Sequence, residues 1–169
     1  MKFDESIMID AGAAELFRLS QDYGQRLDWD PFLRSASLVD ADEAGPGVRV
    51  VCVARSGWSM ETEYISFHPP RTVAITMTRG PWFLSRFAGS WRFDEIEPCR
   101  TRVGFAYSLV SRPQALAWLL DPLLARSFAQ DTRARLRALK AAAEDRRPLN
   151  DLSTRTMEPN HEGGTGSLR

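Results

Sequence analysis

The sequence predicts an α+β protein in which a curved, antiparallel seven-stranded sheet grips one long C-terminal helix. The first observation is an alternating strand, Thr101-Arg102-Val103-Gly104-Phe105-Ala106-Tyr107-Ser108-Leu109, that runs almost directly into a long amphipathic segment. The second is a run of earlier strand-like segments with no helical pattern between them, which calls for antiparallel neighbours and a helix that covers the concave face. The third is length: 169 residues support one domain, here expected over 1–147, followed by a disordered tail over 148–169.

Phe3, Ile7 and Ile9 alternate as an opening strand. At Ala13-Ala14-Glu15-Leu16-Phe17-Arg18-Leu19 the period becomes helical, with Glu15 placed near the positive end of the helix dipole. A second short helix from Asp22 to Leu27 ends at the Trp29-Asp30-Pro31 corner, because proline disfavours helical geometry in the residue before it. Strands are then expected at 34–41, 48–57, 60–67, 72–79, 86–96 and 100–110. They are separated by Gly45-Pro46-Gly47, His68-Pro69-Pro70-Arg71, Gly80-Pro81 and Glu97-Pro98-Cys99, whose residues fix or free the backbone angles. The long helix is predicted to begin at Pro122 behind an Asp121 N-cap, after a short segment opened by Arg112-Pro113. Leu123, Leu124, Phe128, Leu136, Leu139 and Ala143 form its apolar stripe, while Arg126, Arg133, Arg137 and Lys140 face water. Beyond Pro148 the chain is polar and aperiodic, which gives the expectation of disorder.

Charge narrows the function classes. Lys and Arg number 22 and so do Asp and Glu, for a net charge of +0, so no bulk electrostatic attraction to nucleic acid or to an anionic membrane is implied. Charges at Lys2, Asp4, Glu5 and Asp10 interrupt any secretory signal, and no apolar run reaches the roughly 20 residues of a membrane span. The expectation is a cytoplasmic protein with no transmembrane segment, peripheral membrane contact staying open. Cys52 and Cys99 make neither a disulfide framework nor a zinc site by themselves, and both read as structural. No metal cluster, phosphate-cradling loop or nucleophile elbow is visible, so neither a metal nor a cofactor is expected.

The order strand, two short helices, six strands, long helix belongs to the helix-grip arrangement, and specific words narrow it. Ile7-Met8-Ile9-Asp10-Ala11 precedes Ala14-Glu15-Leu16-Phe17, and Asp22-Tyr23 leads to Trp29-Asp30-Pro31-Phe32. Glu63-Tyr64-Ile65-Ser66-Phe67-His68-Pro69-Pro70-Arg71, Gly89-Ser90-Trp91-Arg92-Phe93, Thr101-Arg102-Val103 and Leu136-Arg137-Ala138-Leu139-Lys140 follow in order. Over about 145 residues the chain resembles the START-like (SRPBCC) superfamily of polyketide cyclases and dehydrases, which includes coenzyme Q-binding proteins. That resemblance implies a helix-grip fold and an internal cavity, and it spans lipid carriers, cyclases and sensors without selecting one.

Candidate site residues follow from strand parity. Phe87, Gly89, Trp91 and Phe93 share one face, as do Val103, Phe105, Tyr107 and Leu109; both faces should look at the helix, as packed core or as cavity wall. Gly89 leaves room on such a face. Trp58, Met60, Tyr64, Met77 and the Trp82-Phe83 pair add bulky or adaptable groups, with Trp82-Phe83-Leu84 as a gate, a membrane-insertion loop or a core cap. The ligand-binding set is therefore Trp58, Tyr64, Met77, Trp82, Phe83, Phe87, Trp91, Phe105, Tyr107 and Phe128, with Arg92 as a further polar candidate. Glu61 and Glu63 are candidate acid–base groups if the face they share with Ile65 and Phe67 is inward, against the competing inward set Met60, Thr62, Tyr64 and Ser66. His68 reads as an exposed turn residue, and Asp28 and Asp30 as corner caps.

Three functions fit. The first is binding of a hydrophobic small molecule or lipid between sheet and helix. The second is polyketide cyclisation, aromatisation or dehydration by a cavity carboxylate or tyrosine. The third is a protein-interaction module with a filled core, docking through Arg133, Arg137 and Lys140. No catalytic constellation decides whether the protein is an enzyme.

Overall fold

The computed structural model describes residues 1–146 apart from 114 and 116, so the predicted tail over 148–169 lies outside the described residues. β1 (Lys2–Ile9) is followed by α1 (Ala13–Gln21) and α2 (Tyr23–Trp29). β2 (Leu33–Val39), β3 (Arg49–Ala54), β4 (Ser59–His68), β5 (Thr72–Arg79), β6 (Leu84–Glu97), β7 (Arg100–Ser111) and α3 (Ala117–Glu144) complete the chain. The strands form one antiparallel sheet in the order β1-β7-β6-β5-β4-β3-β2. β2 to β7 are a simple meander, and β1 closes onto β7 with Ile7 opposite Val103.

Local chemistry places the two short helices. The Asp22 carboxylate accepts hydrogen bonds from the Gly24 and Gln25 amides, capping α2 where α1 ends. Trp29 then donates its indole N–H to the Leu19 carbonyl at 3.1 Å, locking α2 against α1. Ile9, Leu16, Leu19, Val103 and Leu139 are fully buried where α1, the sheet and α3 meet, each burial being worth roughly 1.5–3 kcal/mol. This is the seat of the core. α3 packs chiefly on β1 and β7 and touches α1 and α2, so the helix leans to one side of the concave sheet.

Two expectations change. α3 begins at Ala117 and carries Pro122 inside it; the Asp121 carboxylate takes a hydrogen bond from the Ser111 hydroxyl instead of capping a helix. A proline this close to a helix start leaves only the Trp118 carbonyl without its partner, so the apolar turn before it stays helical. On β4 the pairing slips between Tyr64 and Ser66. That bulge splits the face on which Glu61, Glu63, Ile65 and Phe67 were grouped: Ile65 is 59% exposed, whereas Phe67 turns in to meet the Phe17 ring at 5.3 Å.

Candidate functional site

Because α3 leans toward β1 and β7, its N-terminal half leaves a gap over the middle strands. The gap holds two adjoining chambers. The inner one, about 70 Å³, is walled by Tyr64, Phe87, Trp91, Phe105 and Phe128 together with Thr62, Val73 and Ile75. The outer one, about 180 Å³, lies between Trp58, Phe83, Leu84 and Leu124. Phe32, Cys52, Met60, Phe128 and Asp131 border both.

The floor of the inner chamber is charged. Arg26 on α2 donates from Nε to Asp30 at 3.0 Å and from Nη1 to the Ser20 carbonyl at 3.2 Å. Arg135 on α3 reaches the same carboxylate from Nε, 3.1 Å from Oδ2, and Asp30 also accepts the Phe32 amide at 3.0 Å. Asp30 is only 1% exposed. Burial alone would push its carboxyl up, but Arg135 and Arg26 beside it hold it below the ordinary carboxylate range. Burial works against both guanidinium groups as well; Asp30 and the polar groups around Arg26 outweigh it there, so Arg26 is raised. For Arg135 burial prevails, and its affinity for the proton is lowered.

Two buried cations therefore share one fully buried anion. Arg135 reaches Asp30 through Nε, and its guanidinium carbon lies 4.7 Å from the Phe32 ring centre and 5.6 Å from that of Phe105. Aromatic faces thus flank the charge where Arg135 borders the inner chamber. Asp131, one turn before Arg135 and on the wall of both chambers, has its carboxyl raised by burial, with Arg135 opposing.

A hydroxyl chain crosses the opposite wall. Tyr64 donates to Gln21 Oε1 at 3.0 Å, and Tyr23 lies 3.1 Å from the Tyr64 oxygen. Gln21 in turn donates to Ser20, and Ser20 to the Phe17 carbonyl. Burial raises both phenols, and for Tyr23 the neighbouring Tyr64 adds to it. Burial also raises the Cys52 thiol, so it stays protonated and unreactive.

The sequence-predicted residues distribute as follows. Tyr64, Phe87, Trp91, Phe105 and Phe128 line the inner chamber, and Trp58, Phe83 and again Phe128 the outer. Met77 lies against Gly80, Trp82 is 63% exposed at the rim, and Arg92 points to the outer face. Tyr107 sits behind the Phe87 and Phe128 rings; its hydroxyl finds no partner among the described residues, and burial with Glu5 nearby pushes it up to about 12. The room expected at Gly89 is taken by the Phe105 ring, 3.1 Å from where a Cβ would stand. Glu61 and Glu63 are placed away from the chambers. The Glu61 carboxylate is held by Thr78 at 2.8 Å and by Arg49 at 3.2 Å, and the Thr78 hydroxyl lowers its proton affinity. Asp30 accepts a corner amide, as its reading as a cap requires, and carries the ion network in addition.

The residues that sequence reasoning missed are Gln21, Tyr23, Arg26, Asp131 and Arg135. For Arg135 a signal existed: it stands seven residues after Phe128 and four before Leu139, on the stripe that faces the sheet. His, Cys, Asp and Glu do not gather in threes at metal-binding distance among the described residues, nor is any described helix long and apolar enough to cross a membrane.

Comparison with known proteins bears on the same architecture. An aromatase/cyclase, Zhui, from a Streptomyces species superposes with a TM-score of 0.71 at 18% identity, over 89% of this chain and 97% of that one. A START superfamily protein from Mycobacterium smegmatis gives 0.69 at 10% identity, over 85% and 97%. The di-domain aromatase/cyclase BexL gives 0.69 at 22% identity, covering 88% of this chain and 51% of that one. These likenesses establish the START-like helix-grip fold. No curated sequence matches the chain. The family model described as "Polyketide cyclase / dehydrase and lipid transport" matches residues 1–144, and the protein belongs to that family.

Proposed function

We propose that the protein binds a hydrophobic small molecule, aromatic or polyketide-like, that carries an acidic or strongly polar oxygen group, with that group seated against Arg135. The observation that supports this most is the unequal buried ion network: two arginines share one fully buried aspartate, and Arg135 also borders a chamber walled by aromatic rings and a few polar groups, Asp131 among them. A charge-assisted hydrogen bond supplies roughly 1.5–3 kcal/mol of orientation and selectivity, and desolvation of the apolar body supplies most of the affinity. The two chambers together are smaller than the roughly 300–1,000 Å³ of ordinary ligand sites. Binding therefore requires Phe128 or Met60, which border both chambers, to swing aside. The cavity disfavours a filled-core interaction module. So does the pairing of two of the three bases on its proposed docking face, Arg133 with Glu5 at 2.6 Å and Lys140 with Glu144.

A second reading, ring closure of a polyketide chain, is favoured by Asp131. Its carboxylate, made more basic by burial, would remove a proton between two carbonyls while Arg135 holds the enolate oxygen. The enolate carbon then bonds to a second carbonyl carbon, whose oxygen takes the proton back from Asp131.

Titration calorimetry with a fused-ring aromatic carboxylic acid and its methyl ester tests the binding reading. The acid should bind at least ten-fold tighter than the ester, and Arg135→Met should erase that difference. Equal affinities in the unmodified protein would overturn it. If a poly-β-ketone substrate is turned over, Asp131→Asn should abolish turnover and keep binding.

A further inference from the structure

The mouth end of the molecule carries a second feature that the chambers do not use. Trp118 is 76% exposed, Trp82 and Leu123 each 63%, Leu119 50% and Trp58 48%. They come from three separate segments: the β3–β4 turn, the β5–β6 link and the start of α3. The segments are tied together. The Phe83 ring lies 4.9 Å from Trp58 and 5.9 Å from Trp82, and the Arg112 amide donates to the Phe83 carbonyl at 2.9 Å. The outer chamber then links Trp58 and Phe83 to Leu124. Leu119 and Leu123 are one helical turn apart, on one face of α3.

Basic charges predominate among these residues. Arg55 shares its turn with Trp58, Arg79 and Arg112 flank the Trp82 segment, and Arg126 follows Leu123 by three residues; all four are exposed. None of them is in an ion pair among the described residues. The nearby acids are engaged: Asp121 accepts from Ser111, and Glu61 is held by Arg49 and Thr78. At the opposite end of the sheet charges of both signs are paired, Asp10 and Glu97 with Arg100, Asp40 with Arg49, and Glu144 on α3 with Lys140. The mouth is thus basic and aromatic, with arginines that have no ion-pair partner among the described residues, whereas the opposite end holds its charges in pairs.

We infer that this rim docks on an anionic phospholipid surface. Tryptophan and leucine tips ringed by arginine fit the interface of a bilayer, where indoles sit at headgroup depth and guanidinium groups reach phosphate. A second copy of the chain would bring like charges face to face, which disfavours self-association through this patch. The outer chamber opens within the ring, beside the surface that would meet the lipid.

Vesicle co-sedimentation of the full chain tests this. Vesicles of phosphatidylcholine with one-third phosphatidylglycerol should capture the protein, phosphatidylcholine alone should not, and binding should fall with added salt. Trp118→Ser with Leu123→Ser, and separately Arg55→Glu with Arg126→Glu, should each cut vesicle affinity about ten-fold or more. Both pairs lie outside the chamber walls, so unchanged melting temperature and unchanged calorimetric binding of the aromatic acid separate a rim effect from a damaged pocket. No sedimentation with anionic vesicles overturns the proposal, as does undiminished sedimentation of both double variants. Concentration-dependent dimerisation that those variants abolish, or capture of an acidic protein by the rim without capture of vesicles, overturns it too.

Discussion

At the scale of single residues the most consequential group is Asp30, which holds Arg26 and Arg135 together although it was legible in sequence only as a corner cap. Its carboxyl is lowered in the folded protein. An acid whose folded affinity for the proton lies below its unfolded value stabilises the fold above the unfolded pKa, roughly 3.9, and loses that contribution as pH falls through the folded value. Asp30→Asn should therefore cost about 3–5 kcal/mol at neutral pH by leaving two buried cations unanswered. Urea unfolding at pH 7 and at stepwise lower pH checks this: the gap between variant and parent should close on acidification, and a gap that is constant with pH would refute the linkage. Arg26 and Arg135 escaped the sequence reading for a physical reason. A buried arginine is rare enough that parity and periodicity assign it to solvent by default, and only a partner from another element, unseen in a linear chain, makes burial tolerable. The hydroxyl chain has a consequence of its own. Tyr64 spends its proton on Gln21, so Tyr23 must spend its own on Tyr64 and can only accept from a ligand. A pocket with a donor at Arg135 and an acceptor at Tyr23 should distinguish a phenol from its methyl ether.

At the scale of elements, strand parity served well where the ladder is regular and failed where it slips. On β6 and β7 the predicted inward residues Phe87, Trp91, Phe93, Phe105 and Tyr107 are all buried, because Phe87 to Phe93 pair with Leu109 to Val103 without interruption. On β4 two competing faces stood open, and the slips beside Glu61 and beyond Tyr64 decided them in favour of Thr62 and Tyr64. A bulge leaves little trace in sequence when no glycine marks it. On α3, Phe128 is the element's contribution to both chambers. Phe128→Ala should merge them at a cost of about 3 kcal/mol, toward the low end of aromatic truncations since the ring is only half-buried. Calorimetry on the variant should show tighter binding of bulkier aromatic acids. A loss of stability with no gain for any larger ligand would argue that the chambers do not join.

At the scale of the whole molecule, the meander and final helix were readable because each turn carries its own glycine or proline punctuation and each strand its alternation. What the sequence did not show is the lean of α3, since a helix's amphipathic stripe says which face is buried but not which strands it covers. The lean sets a gradient of stability. Amides of β6, β7 and the C-terminal half of α3, around Leu136, Leu139 and Ala143, should exchange slowest with deuterium, while those near Leu119 to Leu124 should exchange orders of magnitude faster. Uniform protection along α3 would contradict a mobile cover over the chambers. The strand order has a last consequence. An open sheet ends in two strands, β1 and β2, whose outer backbone groups are offered to any other extended chain. Lys2 and Asp4 on β1, and Arg34 on β2, stand exposed along those margins. An approaching strand would have to strip water from these charges before its first ladder bond could form. The same residues that make the edges look unremarkable thus guard a solution of these molecules against stacking into fibrils.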